Sequence, residues 1–187
     1  NDYIRAAMAK ARVVIAEVND QVPWVYAEGS PDMARVTAII ETSRPPLTAA
    51  PARVGAVDEA IARNVARYIE DGSTIQIGMG SIPEAVGRVI GDRKDLGFHS
   101  GMAGDFIVDL IEAGVITNTR KTIDPGVSVT AVLLGREKLY PFVDRKNENE
   151  NGEIPSRRKV LSSIGAFSTC LRNKCSEFPL LFRSIRN

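Results

Sequence analysis

Residues 73–90 read STIQIGMGSIPEAVGRVI: a short β-prone run, a turn rich in glycine, and an amphipathic stretch with a proline near its start. Thr74, Ile75 and Ile77 are β-branched and favour a strand. Gly78 and Gly80 let the backbone turn tightly and let a ligand approach it closely. Pro83 suits a first helical turn, where its missing N–H costs little, and Ser81 with Glu84 three residues on is a candidate capping box. A strand that passes through a glycine turn into a helix is the opening of a βαβ unit. Free amides at such a helix N-terminus carry partial positive charge, which suits a phosphate, a pyrophosphate or a developing oxyanion. A tight βα turn with no ligand uses the same residues. A dinucleotide fingerprint is the poorer match, because Pro83 stands where G-x-G-x-x-G requires its third glycine.

The pattern continues on both sides of this unit. Val57, Ile61, Val65 and Ile69 recur every four residues beside Tyr68, and Gly72 follows, which predicts an amphipathic helix with a glycine stop. Downstream, the helix over 82–90 ends at Gly91, a short strand is expected over 96–99, a helix over 105–113 ended by Gly114, and a strand over 127–134. Strands alternating with helices indicate an α/β fold with a parallel sheet. Upstream, residues 2–10 read as a helix, residues 11–18 as an interior parallel strand covered on both faces, and residues 35–41 as a second β-prone run. Because the first residue is Asn and the helix begins at once, further residues are expected before it. Prolines at 45, 46 and 51, with one at 31, mark RPPLTAAPARVG as an extended connector. Trp24 is expected to pack the intervening loop onto the body.

Composition excludes several classes. The 24 Lys and Arg against 23 Asp and Glu leave a formal charge of +1, without the basic surplus that phosphate-backbone binding needs, so no nucleic-acid partner is expected. No apolar run approaches the roughly 20 residues that span a bilayer, so neither a membrane span nor a signal peptide is expected, and the localisation read from this is cytoplasmic. Residues 146–187 hold eight Lys or Arg against four Glu and lose the α/β pattern. Two readings stand for them: an exposed basic tail, or a frameshifted, non-native end. Cys170 and Cys175 lie there, too few for a disulfide framework, and zinc would need two more ligands, so no metal is assigned.

The order of segments IAEVND, RPPL, AIARNVARYIEDGSTIQIGMGSIPEAV, KDLGFHSGM, VDLIEAGVITN and LGREKLYPFV resembles the acetyl-CoA hydrolase/transferase family, which includes 4-hydroxybutyrate and acetate CoA-transferases. The resemblance covers residues 2–143. It implies a parallel-sheet CoA-transferase-like fold of two related α/β halves. Residues 1–52 would be the end of the first half plus the connector, 53–145 the start of the second, and 146–187 the tail. It implies coenzyme A or an acyl-CoA as substrate, with no permanently bound cofactor, a small carboxylate as partner, and a homo-oligomer left open. It assigns the CoA-contacting turn to Gly78, Met79, Gly80, Ser81 and Ile82.

The resemblance also implies a glutamate that attacks the thioester, in a stretch reading His, Ser or Thr, Glu, Met. Here that stretch is His99, Ser100, Gly101, Met102, so the catalytic position is Gly101, which has no nucleophile. Asp105 is either a substitute carboxylate or a helix N-cap. His99, the only histidine, is either a base at a strand end or a structural side chain. Ser100 has no nearby Asp for a triad, and Glu84 and Glu112 have ordinary helical roles. The expected function is a CoA-transferase or acyl-CoA hydrolase homologue. The competing readings are a non-catalytic acyl-CoA-binding module or partner subunit, and a nucleotide-binding domain that uses the same glycine turn.

Overall fold

A computed structural model describes residues 4–25, 32–50 and 52–144, and the backbone of residues 160–162. Helix α1 (Ile4–Lys10) leads into β1 (Ile15–Asn19), which pairs in parallel with β2 (Ala38–Thr42), Ile15 opposite Ala38. After the connector come α2 (Ala56–Ala66), β3 (Thr74–Ile75), α3 (Ser81–Val89), β4 (Gly97–Ala103), α4 (Asp105–Glu112), β5 (Ser128–Leu133), α5 (Leu139–Val143) and β6 (Val160–Ser162). The second sheet runs β3-β4-β5-β6, every pair parallel. Spatial order follows chain order, so each crossover steps the same way, and right-handed crossovers then put their helices on one face. Phe98, Ile75 and Ile77 share a buried cluster with Ala85, Val86 and Ile90 and with Ile107 and Ile111 of α4. On the same strand as Phe98, His99 and Gly101 alternate to the other side and are exposed.

The parallel α/β reading holds, and the local differences have physical causes. The apolar run at residues 11–18 was expected to be covered on both faces, but only Ala16 of its centre is buried and Val13 and Ile15 are exposed, so that among the described residues the two-stranded sheet is packed on the Ala16 side. The helix expected from the Val57, Ile61, Val65 repeat is present, yet it buries Ala62 and Ala66 and leaves Val57, Ile61, Val65 and Tyr68 exposed. Small alanines let two helix backbones approach closely, so the alanine stripe won the contact with α3. The β4 strand runs on through Ala103, so position 101 lies inside it and not past its end. Three residues of the segment after Asp144, expected to add nothing ordered, form β6 beside β5, Ser128 opposite Val160. The rest of that segment, with Cys170 and Cys175, lies outside the described residues. So does residue 51.

Both ends of α2 are closed by side chains. Asp58 Oδ2 accepts from the Gly55 amide at 2.8 Å, and the Arg93 guanidinium donates to the Ala66 and Ile69 carbonyls at 3.1 and 2.8 Å. These satisfy groups that a helix terminus leaves unpaired. The opposite ends of β4 and β5 are tied by one loop. Asn118, at φ 61, accepts from the Phe98 amide through Oδ1 at 2.8 Å and donates from Nδ2 to Ser128 Oγ at 2.9 Å. Asn tolerates that left-handed backbone better than most residues. Lys121 is buried, and its ammonium donates to the Phe98 and Val127 carbonyls at 3.2 and 2.7 Å. Burial holds its pKa below the usual lysine value, opposed by the charge of Asp124.

Two outcomes follow for stability. Phe98 is fully buried in the central strand, so Phe98→Ala costs about 3–5 kcal/mol, read as a lowered midpoint in urea unfolding. A loss below about 1 kcal/mol would contradict the central packing of β4. For Lys121, the folded pKa lies below the unfolded 10.5, so between the two values the unfolded chain binds more protons and stability rises with pH. Tyr140, whose pKa burial raises, changes in the opposite sense. The unfolding free energy of the parent minus that of Lys121→Met isolates the lysine, and it grows as pH rises toward 10.5. A difference that stays flat contradicts the burial of the ammonium.

Candidate active-site cleft

The glycine turn needs Gly80. It is the N-cap of α3 at φ 126 and ψ −176, a region that side-chain-bearing residues do not adopt without strain. Having no side chain, it leaves the first α3 amides uncapped, and Pro83 contributes no N–H. The capping box expected from Ser81 and Glu84 does not form. Ser81 is the first helical residue, and its hydroxyl donates to Asp58 Oδ1 at 3.0 Å, while Glu84 accepts from Arg88 at 3.1 Å. Asp58 therefore joins the starts of α2 and α3. The turn is held while its backbone amides stay uncommitted to side chains.

A cleft of about 630 Å³ lies over the C-terminal ends of the parallel strands. One wall is Met79, Gly80 and Ser81, with Glu84 beyond them. A second is Gly104, Asp105 and Phe106, after β4, and a third is Leu134, Gly135 and Arg136, after β5. The connector closes it with Ala49, Ala50, Ala52 and Arg53. The connector is pinned there by backbone and side chain: the Ala49 amide donates to the Gly135 carbonyl at 3.1 Å, and the Tyr140 hydroxyl donates to the Leu47 carbonyl. The Trp24 amide donates to Asp144 Oδ1 at 3.1 Å, which ties the backbone of its loop to the residue that follows α5. Clefts at this end of an open α/β sheet are the usual ligand sites, and the volume is in the range of small-molecule pockets.

The sequence candidates separate. Met79, Gly80, Ser81 and Asp105 meet in the cleft, whereas Gly78, Ile82, His99 and Gly101 do not line it. Asp105 is neither the expected N-cap, which is Gly104, nor a free base. Its Oδ1 accepts from the Arg136 and Leu139 amides at 2.8 and 3.2 Å, and its Oδ2 accepts from Arg136 Nε at 3.2 Å. It holds the loop after β5 in place. Ser100 is equally committed: it is buried, donates to the Ile77 carbonyl at 2.8 Å and accepts from the Ile77 amide at 3.3 Å. This prolongs the pairing of β3 with β4 up to the glycine turn. A Cβ built on Gly101 meets nothing within 4 Å, so the position has room for a longer side chain. Arg53 and Arg136, which the sequence reading did not single out, line the cleft. Their signal lay in chain position alone, one within the proline connector and one just after β5. Among the described residues no three His, Cys, Asp or Glu side chains gather as a metal site.

Unfolding of single variants separates these roles. Ser100→Ala and Asp105→Ala each lose about 1–3 kcal/mol, because each leaves backbone groups without partners. His99→Ala, at an exposed position, stays within about 0.5 kcal/mol. A neutral Asp105→Ala would return that carboxylate to the list of free groups.

No known family profile matches the chain. It is 42% identical over 181 residues to a 4-hydroxybutyrate coenzyme A transferase of Clostridium kluyveri, a match covering 97% of this chain and 42% of that protein. It is 35% identical over 144 residues to a succinyl-CoA:acetate/propanoyl-CoA:succinate CoA transferase of Fasciola hepatica, covering 76% of this chain and 30% of that one. The fold superposes on the crystal structure of a 4-hydroxybutyrate CoA-transferase of Porphyromonas gingivalis with a TM-score of 0.70 and 34% identity, over 86% of this chain and 38% of that chain. The chain thus spans less than half the length of each of these relatives. No helix among the described residues is long and apolar enough to cross a membrane. Sequence and fold agree that the chain is a homologue of the CoA-transferases, with a CoA-transferase-like parallel α/β fold.

Proposed function

We propose that the cleft receives the thioester end of an acyl-CoA, and that the protein moves CoA between an acyl-CoA and a small carboxylate such as acetate. The observation that carries this is the uncapped N-terminus of α3, which faces a cleft over the strand ends with its first amides free of side-chain partners. Donors placed where charge develops stabilise an oxyanion, and in this reading the amides of Gly80 and Ser81, both on the cleft wall, do this for a thioester oxygen. The acyl-CoA and carboxylate substrates in the relatives' names support the same chemistry. The two separate sheets, joined by the proline connector, support a division into the end of one α/β half at residues 1–52 and the start of another at 53–145.

In the reaction that the resemblance implies, a carboxylate at position 101 attacks the thioester carbonyl. Gly101 itself does not line the cleft, so a glutamate there would have to reach it through the open space beside that position. A C–O bond forms and the C–S bond breaks, so that CoA leaves as thiolate and an acyl-glutamyl anhydride remains. The thiolate then forms a C–S bond at the glutamyl carbonyl while the anhydride C–O bond breaks and the acyl group leaves as its carboxylate. Gly101 cannot take that role. With Asp105 bound to Arg136 and to two amides, no described carboxylate in the cleft is free to replace it. The second reading, an acyl-CoA-binding chain that does not itself form the covalent intermediate, draws its support from this glycine. Hydrolysis by water would need a base, and His99, two residues away on the same side of the strand, is the nearest candidate.

Incubation with acetyl-CoA, borohydride trapping and peptide mass analysis test the assignment. The parent chain binds acetyl-CoA and yields no adduct. Gly101→Glu, in a protein extended by the flanking segments of a full-length relative, yields a modified residue 101, for which the open space at that position leaves room. If the Gly101 protein transfers CoA as fast as the Glu variant, position 101 is not the catalytic one.

A further inference from the structure

Building on that reading of the cleft, we propose that Arg53 recognises an anionic group of the substrate, a phosphate of CoA or the carboxylate of the acceptor. Four ionisable side chains line the cleft: Arg53, Glu84, Asp105 and Arg136. Three of them are spent on one another or on close neighbours. Glu84 accepts from Arg88 at 3.1 Å, and Asp105 accepts from Arg136 Nε at 3.2 Å and from two backbone amides. Arg53 is exposed and has no ion-pair or hydrogen-bond partner among the described residues. The cleft's uncompensated charge is therefore positive, and the amides at the start of α3 add to it with the same sign.

The chemistry of the side chain narrows what it meets. A guanidinium presents paired donors in a plane, the match for the two oxygens of a carboxylate or phosphate, and it stays charged at every working pH. Arg53 stands on the connector wall, whose position the Ala49–Gly135 and Tyr140–Leu47 hydrogen bonds fix against the loop after β5. Its charge is therefore carried by a held segment and directed to a cleft with no free anion of its own. A structural role is not served there, since among the described residues the side chain bonds to nothing.

Calorimetric titration of the full chain and of Arg53→Gln with CoA, with pantetheine and with succinate tests this. Arg53→Gln weakens binding of CoA or of succinate about tenfold, with Arg53→Lys between it and the parent and with unchanged melting. A loss seen with CoA and not with pantetheine, which lacks the phosphates, assigns Arg53 to a phosphate. A loss confined to succinate assigns it to the acceptor carboxylate. Equal affinity of parent and Arg53→Gln for both anions, or an equal loss with pantetheine, overturns the role of Arg53 and leaves the cleft reading in place. A parent chain that binds neither CoA nor succinate overturns both.

Discussion

The fold depends on β4 being paired in parallel on both sides, with the face of Phe98 packed and the opposite face open at His99 and Gly101. Strand order equal to chain order forces every crossover in one direction, and the helices collect over Phe98. Two consequences follow from that single constraint. All strand ends of one polarity lie together, where the turns after β3, β4 and β5 enclose the cleft. The other face, with His99 and Gly101, is exposed among the described residues.

The two ends of the sheet are built differently. At the N-terminal ends of β4 and β5, Asn118 and Lys121 spend their donors and acceptor on strand backbone and on Ser128, and the lysine accepts a costly burial to do so. At the C-terminal ends, side chains are spent on placing loops: Asp105 on residues 136–139, Ser100 on Ile77, Asp58 on Gly55 and Ser81. Backbone amides at the start of α3 are left without side-chain caps. Rigid support with unspent donors is what electrostatic stabilisation of a developing charge requires.

In the function proposed for this chain, glycine at position 101 separates binding from covalent chemistry. The turn, its support and the cleft do not depend on the side chain at 101, which is exposed and meets nothing. Homology to CoA-transferases extends to the fold that encloses the cleft, while the position to which the resemblance assigns the glutamate is a glycine here.

Much of the order of elements was legible in the sequence because it rests on local signals: the β-branched run before the glycine turn, Pro83 in a first helical turn, and Gly114 at φ 75 ending α4. The resemblance of ordered motifs identified the relatives for the same reason, since motifs are local. Partner choice was not legible. Ser81 and Glu84 have capping-box spacing, but Asp58 and Arg88 took them. Asp105 opens a helix in sequence, and its binding to Arg136, 31 residues on, is a tertiary fact. The apolar repeat of α2 gave a helix but not its buried side, because the fit of Ala62 and Ala66 against α3 depends on how closely two backbones approach. The sequence by itself determined which residues could form strands, turns and helices and that position 101 lacks a carboxylate. Only the tertiary structure decided which charges are free, since hydrogen-bond partners far apart in the chain meet only when the sheet brings their loops together.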